Sequence, residues 1–128
     1  MSIMKQLSIF LKNEPGVLGR LCENFAEHSI NILGISVSDT VDHAVVRIMC
    51  SNPNKAAAVL GEAGVLVIET DVLVVDLPDQ PGILASLSKK LAKNKINIEY
   101  AYGTTEKSGG KLVLRVSDCK KAQKLLKK

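Results

Sequence analysis

A stretch of twenty residues occurs twice in this chain, and its spacing limits the folds the chain can adopt. The first copy runs from Asn13 through Pro15, Gly16, Leu18 and Leu21 to Ile30, Asn31 and Ile32. The second runs from Asp79 through Pro81, Gly82, Leu84 and Leu87 to Ile96, Asn97 and Ile98. Every pair is separated by 66 positions, and eight of the twenty pairs are identical. A repeat of that length is longer than a solenoid unit, so the 128 residues read as two copies of one small domain, 1–69 and 70–128. Halves of that size bury only about 60% of their unfolded surface, and each needs a neighbour to pack on.

The apolar pattern gives the order of elements. Leu7, Ile9 and Leu11 alternate with Ser8, Phe10 and Lys12, the period of a strand. Asn13-Glu14-Pro15-Gly16 breaks it, with Pro15 suited to the first helical position. Val17, Leu18, Leu21, Cys22 and Phe25 then recur at helical spacing, and Leu33, Ile35 and Val37 mark a second strand. After a turn at 39–42, His43 to Cys50 is a third strand. Asn52 and Pro53 open a second helix that Gly64 closes, and Val65 to Glu69 is a fourth strand. The order β-α-β-β-α-β is the ferredoxin-like unit of an α+β protein.

The second copy repeats this with strands at 72–77, 98–102 and 112–116, a helix from Pro81, a hairpin at Ser108-Gly109-Gly110 and a last helix capped by Asp118. Only Thr70 and Asp71 separate the copies. The second copy lacks its last strand, since nothing after Leu126 matches Val65–Glu69. Val72–Leu77 is therefore expected to present an unpaired edge that recruits another chain, which points to a homodimer. The alternative is that the copies satisfy each other within a monomer.

Bulk properties exclude several function classes. No apolar run approaches the roughly 18 residues of a membrane span, and Lys5, Gln6 and Ser8 interrupt any signal-peptide core. Cys22, Cys50 and Cys119 are widely spaced, which fits reduced, buried thiols in the cytoplasm and not a disulfide or zinc framework. Residues 1–70 carry five basic and seven acidic side chains, and residues 71–128 carry twelve and six. The basic second half reads as a solvated lysine-rich helix face, or as a surface for nucleic acid or an acidic partner. RNA-recognition modules share the βαββαβ order but stack bases on aromatic residues of strands one and three. Here only Phe10 is aromatic in those strands, so RNA recognition of that kind is rejected and no nucleic-acid partner is expected; a phosphate-backbone binder through the lysines is the weak option left. A P-loop, a dinucleotide fingerprint and a locally spaced nucleophile–base pair are also missing, and no cofactor or metal is expected.

The strand, the Asn/Asp-x-Pro-Gly-Val/Ile-Leu turn into a helix, and the Ile-Asn-Ile entering strand two resemble the ACT domain, the small-molecule regulatory module of many amino-acid biosynthetic enzymes. The resemblance covers residues 5–69 and 71–128, and the paired layout looks like the stand-alone tandem proteins of that family. It implies domains that pair side by side in a continuous sheet with helices on one face. It also implies an amino acid held at the interface by the strand-one-to-helix loop and the start of strand two. The matching positions are Asn13, Gly16 and Asn31, and Asp79, Gly82 and Asn97. A helix N-terminus suits a carboxylate, glycine lets the backbone come close, and an asparagine bonds either end of a zwitterion. Ionised Asp79 only accepts, so the two sites need not be equivalent.

The structural alternatives are that Asn13 and Asp79 cap helices and that Asn31 and Asn97 hold left-handed turns. Tyr100 and Tyr102 face away from Ala101, either packing an interface between copies or lining a pocket. His28 and His43 have no ligand cluster. The leading expectation is a non-catalytic amino-acid sensor; the alternative is a regulatory subunit that acts mainly by binding a separate metabolic enzyme.

Overall fold

The computed structural model describes residues 2–39, 42–104 and 109–126. Parts of two expected turns, Thr40 with Val41 and Ser108, lie outside the described residues. The chain alternates six antiparallel strands with four helices: β1 (Ser2–Lys12), α1 (Val17–Glu27), β2 (Ile32–Asp39), β3 (His43–Cys50), α2 (Pro53–Glu62), β4 (Leu66–Leu77), α3 (Ile83–Lys93), β5 (Ile98–Thr104), β6 (Gly110–Val116) and α4 (Cys119–Leu126). It divides into two units, Lys5–Thr70 and Asp71–Lys128 with Met1–Met4.

In the first unit the strand order is β2-β3-β1-β4. β3 pairs antiparallel with both β1 and β2, so β1 and β2 run parallel. Leu7 and Ile9 of β1 stand opposite Ile48 and Val46 of β3, and this face receives Leu21 and Phe25 of α1 and Ala56 and Leu60 of α2. Val65 and Val67, where the chain enters β4, close that core.

In the second unit the order is β1-β4-β6-β5, and Leu73, Leu114, Leu91 and Ala122 build the corresponding core. Phe25 of the first core is matched by the smaller Leu91. Residues 71–126 supply no fourth strand, as the sequence implies. Residues 2–4 of β1 belong to this unit instead, with Ile3 packed against its core. β4 therefore lies between β1 and β6 and is not an edge, which removes the unpaired strand on which the expected homodimer rested. The dipeptide Thr70-Asp71 does not interrupt β4: Thr is β-branched and the strand passes straight through.

Local details differ from the sequence expectations for identifiable reasons. Pro15 and Pro81 precede the helices instead of starting them. Gly16 and Gly82, both at φ 87°, occupy the N-cap positions with no side-chain cap bond, so Asn13 and Asp79 do not cap. A β-carbon is disfavoured in that left-handed region, and glycine removes the penalty. The left-handed residues before strand two are Ser29 and Lys95, not Asn31 and Asn97. Asn52 and Asp118 do cap α2 and α4, accepting from the N–H groups of Lys55 and Lys121 at 3.1 and 3.0 Å. All three cysteines are free; Cys50 is buried, whereas Cys22 and Cys119 are half-buried. No helix among the described residues is long and apolar enough to cross a membrane.

Candidate functional site

The loop from β1 to α1 is tight because the chain must leave a strand and enter a helix within four residues. Glu14 N–H donates to the carbonyl of Lys12 at 3.0 Å, Val17 N–H to that of Glu14 at 3.3 Å, and Arg20 N–H to that of Gly16 at 3.0 Å. The second unit reproduces the same three bonds 66 residues on. Gln80 donates to Pro78 at 2.9 Å, Ile83 to Gln80 at 3.4 Å and Ser86 to Gly82 at 2.9 Å. In both loops the first helical N–H groups lack intrahelical acceptors, which makes the turn suited to an anion. Neither helix has an acidic residue in its first turn to compete for it.

The side chains around the two turns are not the same. Asn13 donates its Nδ2–H to the carboxylate of Asp39 at the end of β2, and its backbone N–H to the carbonyl of Asp42 at 3.4 Å. A β-carbon on Gly16 would lie 3.8 Å from Nη1 of Arg20, so a guanidinium stands beside the turn. The first loop thus places a cation near the helix N-terminus and a carboxylate within reach of Asn13. These charges complement a zwitterion. In the second loop Asp79 replaces Asn13 and Ser86 replaces Arg20. A hollow of about 160 Å³ there is lined by Pro78, Asp79, Gln80 and Gly82 among others.

Asn31 and Asn97 sit elsewhere. Asn31 N–H donates to Oγ of Ser51 at 3.0 Å and its carbonyl accepts from the Ser51 N–H at 2.9 Å; Asn97 and Ser117 form the same reciprocal pair, both bonds at 3.0 Å. The side chains of both asparagines are exposed. A β-bulge follows in each copy, between Ile32 and Gly34 and between Ile98 and Tyr100. The extra residue, Leu33 or Glu99, is turned outward by it.

Register separates the two halves of each expected site. Lys12 stands opposite His43 at the start of β3, and Ile32 stands opposite Cys50 at its end. At ~3.3 Å per residue those ends are roughly 23 Å apart. Asp79 and Asn97 are separated likewise, because Leu77 is opposite Gly110 and Ile98 opposite Val116. Within one unit, therefore, the fold brings Asn13 together with Gly16 and Asp79 with Gly82, and leaves Asn31 and Asn97 at the far end of the sheet.

Sequence reasoning missed Arg20, Asp39, Ser51 and Ser117. The serines carried a usable signal, since they too are 66 residues apart. Arg20 follows Gly16 by one helical turn, but its counterpart Ser86 gives no echo. Tyr100 and Tyr102 stand opposite Arg115 and Val113, and neither lines a hollow described here.

A family model described as an ACT domain pair matches residues 1–128. Among solved structures, a protein from Bacteroides thetaiotaomicron is similar at 33% identity and a TM-score of 0.93, over 98% of this chain and 87% of that one. The ligand-free regulatory subunit of aspartate kinase from Thermus thermophilus aligns at 14% identity and TM-score 0.70, over 98% of this chain and 95% of that one. The corresponding subunit from Thermus flavus aligns at 17% identity and TM-score 0.68, over 98% and 91%. No curated protein matches in sequence.

Proposed function

The chain belongs to the ACT domain pair family, and on that premise we propose that it is a non-catalytic regulatory protein that binds a free amino acid. The observation that carries this reading is the turn at 13–16. There a left-handed glycine with Arg20 beside it, a helix N-terminus and the Asn13–Asp39 pair put a cation and a carboxylate around one loop. The amino acid's carboxylate takes the helix end and Arg20, and its ammonium takes Asp39 and the Asn13 carbonyl. The turn at 79–82 is the weaker site, because Asp79 would repel the carboxylate and Ser86 stands at the position that Arg20 has in the first copy.

On this reading the site is completed by a second copy of the chain. Among the described residues β2 is hydrogen-bonded only to β3, and it exposes Leu33, Ile35 and Val37, which are 59, 42 and 51% accessible. Two such strands paired antiparallel would set Asn31 of the partner subunit beside Asn13 and Gly16, the residues that one copy holds apart. The homodimer expected from the sequence is thereby retained on a different edge. The three free thiols support a reducing, cytoplasmic address. The fold shared with regulatory subunits of aspartate kinase supports a second reading, in which a separate metabolic enzyme is the partner.

The test is a thermal-shift screen of the twenty amino acids with light scattering on the same samples. One amino acid should stabilise the fold, and so raise the melting temperature, by an amount that grows with the logarithm of its concentration above Kd and reaches about 2.7 kcal/mol at a hundredfold excess. The mass should be that of two chains. If no amino acid shifts the transition at millimolar concentration, the sensor reading fails; a monomer that still binds would remove only Asn31 from the site.

A further inference from the structure

The lysines of the second unit are gathered on its helices. Lys89, Lys90, Lys93 and Lys95 lie on or just after α3, and Lys120, Lys121 and Lys124 on α4; all are exposed, and neither helix has an acidic residue. Both helices cover one core, and Nζ of Lys121 donates to the carbonyl of Asn94 at 2.9 Å, so the start of α4 lies against the end of α3. Lys93, Lys95 and Lys120 are each adjacent in sequence to one end of that bond. Further along, the helices leave between them a groove of about 630 Å³, lined by Val75, Leu87, Lys90, Gln123 and Leu126 among others. In the first unit the counterparts of Val75, Leu87 and Leu126 are Ile9, Leu21 and Leu60. Those are buried, so that core is closed where this one is open.

The first copy shows how much of this the fold requires. At the same positions it carries Glu23, Asn24, Glu27, Ser29, Asn54, Lys55 and Ala58. Only Lys55 is kept, and it does what Lys121 does, donating to the carbonyl of His28 at 2.6 Å. The helix dipole favours Lys90, Lys93 and Lys124, which stand in last turns, but not Lys120 in the first turn of α4. Lys89 with Lys93, and Lys120 with Lys124, set like charges one helical turn apart, which destabilises each helix. Among the described residues no carboxylate pairs with these lysines: Asp76 pairs with Lys111 at 3.7 Å, Glu99 with Arg115 at 3.3 Å, and Asp118 caps α4.

Charge and shape point to one kind of occupant. The two lysine pairs repeat at the spacing with which another helix presents acidic residues at i and i+4. Beside them α3 exposes Ala85, Ser88 and Ala92, small enough for a helix to lie close. Neither helix carries an arginine fork or an aromatic ring on which a base could stack, which disfavours a nucleic acid. A second copy fits poorly, because its α1 offers only Glu23 and Glu27, with Arg20 on the same helix.

We propose that the lysine face of α3 and α4 docks an acidic helix of a partner protein, with carboxylates one turn apart. This surface is separate from the loops at 13–16 and 79–82, so its failure would leave the amino-acid reading standing. A fluorescein-labelled peptide of repeated Ala-Glu-Ala-Ala units is titrated into the intact chain at low salt and followed by anisotropy. Saturable binding is expected, lost when glutamine replaces glutamate and weakened at least about tenfold by Lys93→Glu combined with Lys120→Glu. Both lysines are exposed, so the variant keeps the fold, which a melting curve checks; Lys121, which holds the end of α3, is left in place. Lys111→Glu makes the same charge change on β6, and alone it should weaken binding less than Lys93→Glu alone. The proposal is overturned by any of four results. One is no saturation up to about 1 mM peptide. Another is binding indifferent to the combined variant. A third is equal weakening by Lys111→Glu and Lys93→Glu, which would mean attraction to net charge alone. The last is tighter binding of an oligothymidylate or of phosphatidylserine vesicles than of the peptide, which would assign the lysines to a nucleic acid or a membrane.

Discussion

In the first half of the chain Ser51 pairs with Asn31, Asn52 caps α2, and Nζ of Lys55 donates to the carbonyl of His28 at 2.6 Å. In the second half Ser117, Asp118 and Lys121 do the same for Asn97, α4 and the carbonyl of Asn94, the last at 2.9 Å. The outer strands show no such agreement. Leu33, Ile35 and Val37 of β2 become Glu99, Ala101 and Gly103 in β5, and Glu99 pairs with Arg115 at 3.3 Å. Two copies of one fold in one molecule act as controls for each other. What both keep is what the backbone needs, such as the satisfied chain ends of helices and the left-handed turns. What only one keeps is free of that demand. The apolar β2 edge, Arg20 and the filled core of the first unit are therefore where the copies differ beyond what the backbone requires.

The contrast between a closed and an open core predicts the largest effect. Leu60→Ala empties a fully buried site and should cost about 2–5 kcal/mol. Leu126→Ala, on the groove wall, should cost less than half as much in denaturant titrations; equal losses would dissolve the contrast. Next comes ligand affinity. Arg20→Ala removes a charge-assisted contact of about 1.5–3 kcal/mol and should weaken amino-acid binding tenfold or more by calorimetry, whereas Ser86→Ala should leave it in place. If Ser86→Ala has the larger effect, the second turn is the working site.

The shared devices should break alike. Asn52→Ala and Asp118→Ala each remove an N-cap bond and should each cost about 1 kcal/mol. A clear inequality would mean that one cap has a task beyond the helix. The smallest effect concerns the thiols. Burial pushes the Cys50 thiol above its ordinary range, outweighing the lowering by its hydrogen bond with the backbone of Asn52. The thiolate is the reacting form, so iodoacetamide at neutral pH should modify Cys22 and Cys119 first. Mass spectrometry of a time course shows the order.

The fold was legible in the sequence because both copies punctuate it alike, with Pro-Gly before a helix and Asn-Ile entering a strand. Two strand lengths were not. Thr70-Asp71 looks like a break between domains, yet a β-branched residue followed by one polar residue can remain in a sheet. Ser2 to Lys5 shows too little alternation to announce a strand. The site was half legible. The residue types at Asn13 and Gly16 pointed to the turn, but periodicity says nothing of distance. Only the parallel course of β1 and β2 reveals that Asn31 lies at the far end of the sheet. Arg20 stayed hidden on a helix face where a solvated arginine is ordinary.

The course of β1 has a consequence for how the molecule comes into being. Residues 2–4 are made some seventy positions before the partners they belong with, so the second unit has high contact order by construction. During synthesis the first unit has all its strands once residue 70 has emerged. The second must gather in a segment made some seventy positions earlier. Severing the chain between Thr70 and Asp71 would separate the second unit from that strand, and the fragment 71–128 alone should refold poorly until a peptide bearing the N-terminal residues is returned to it.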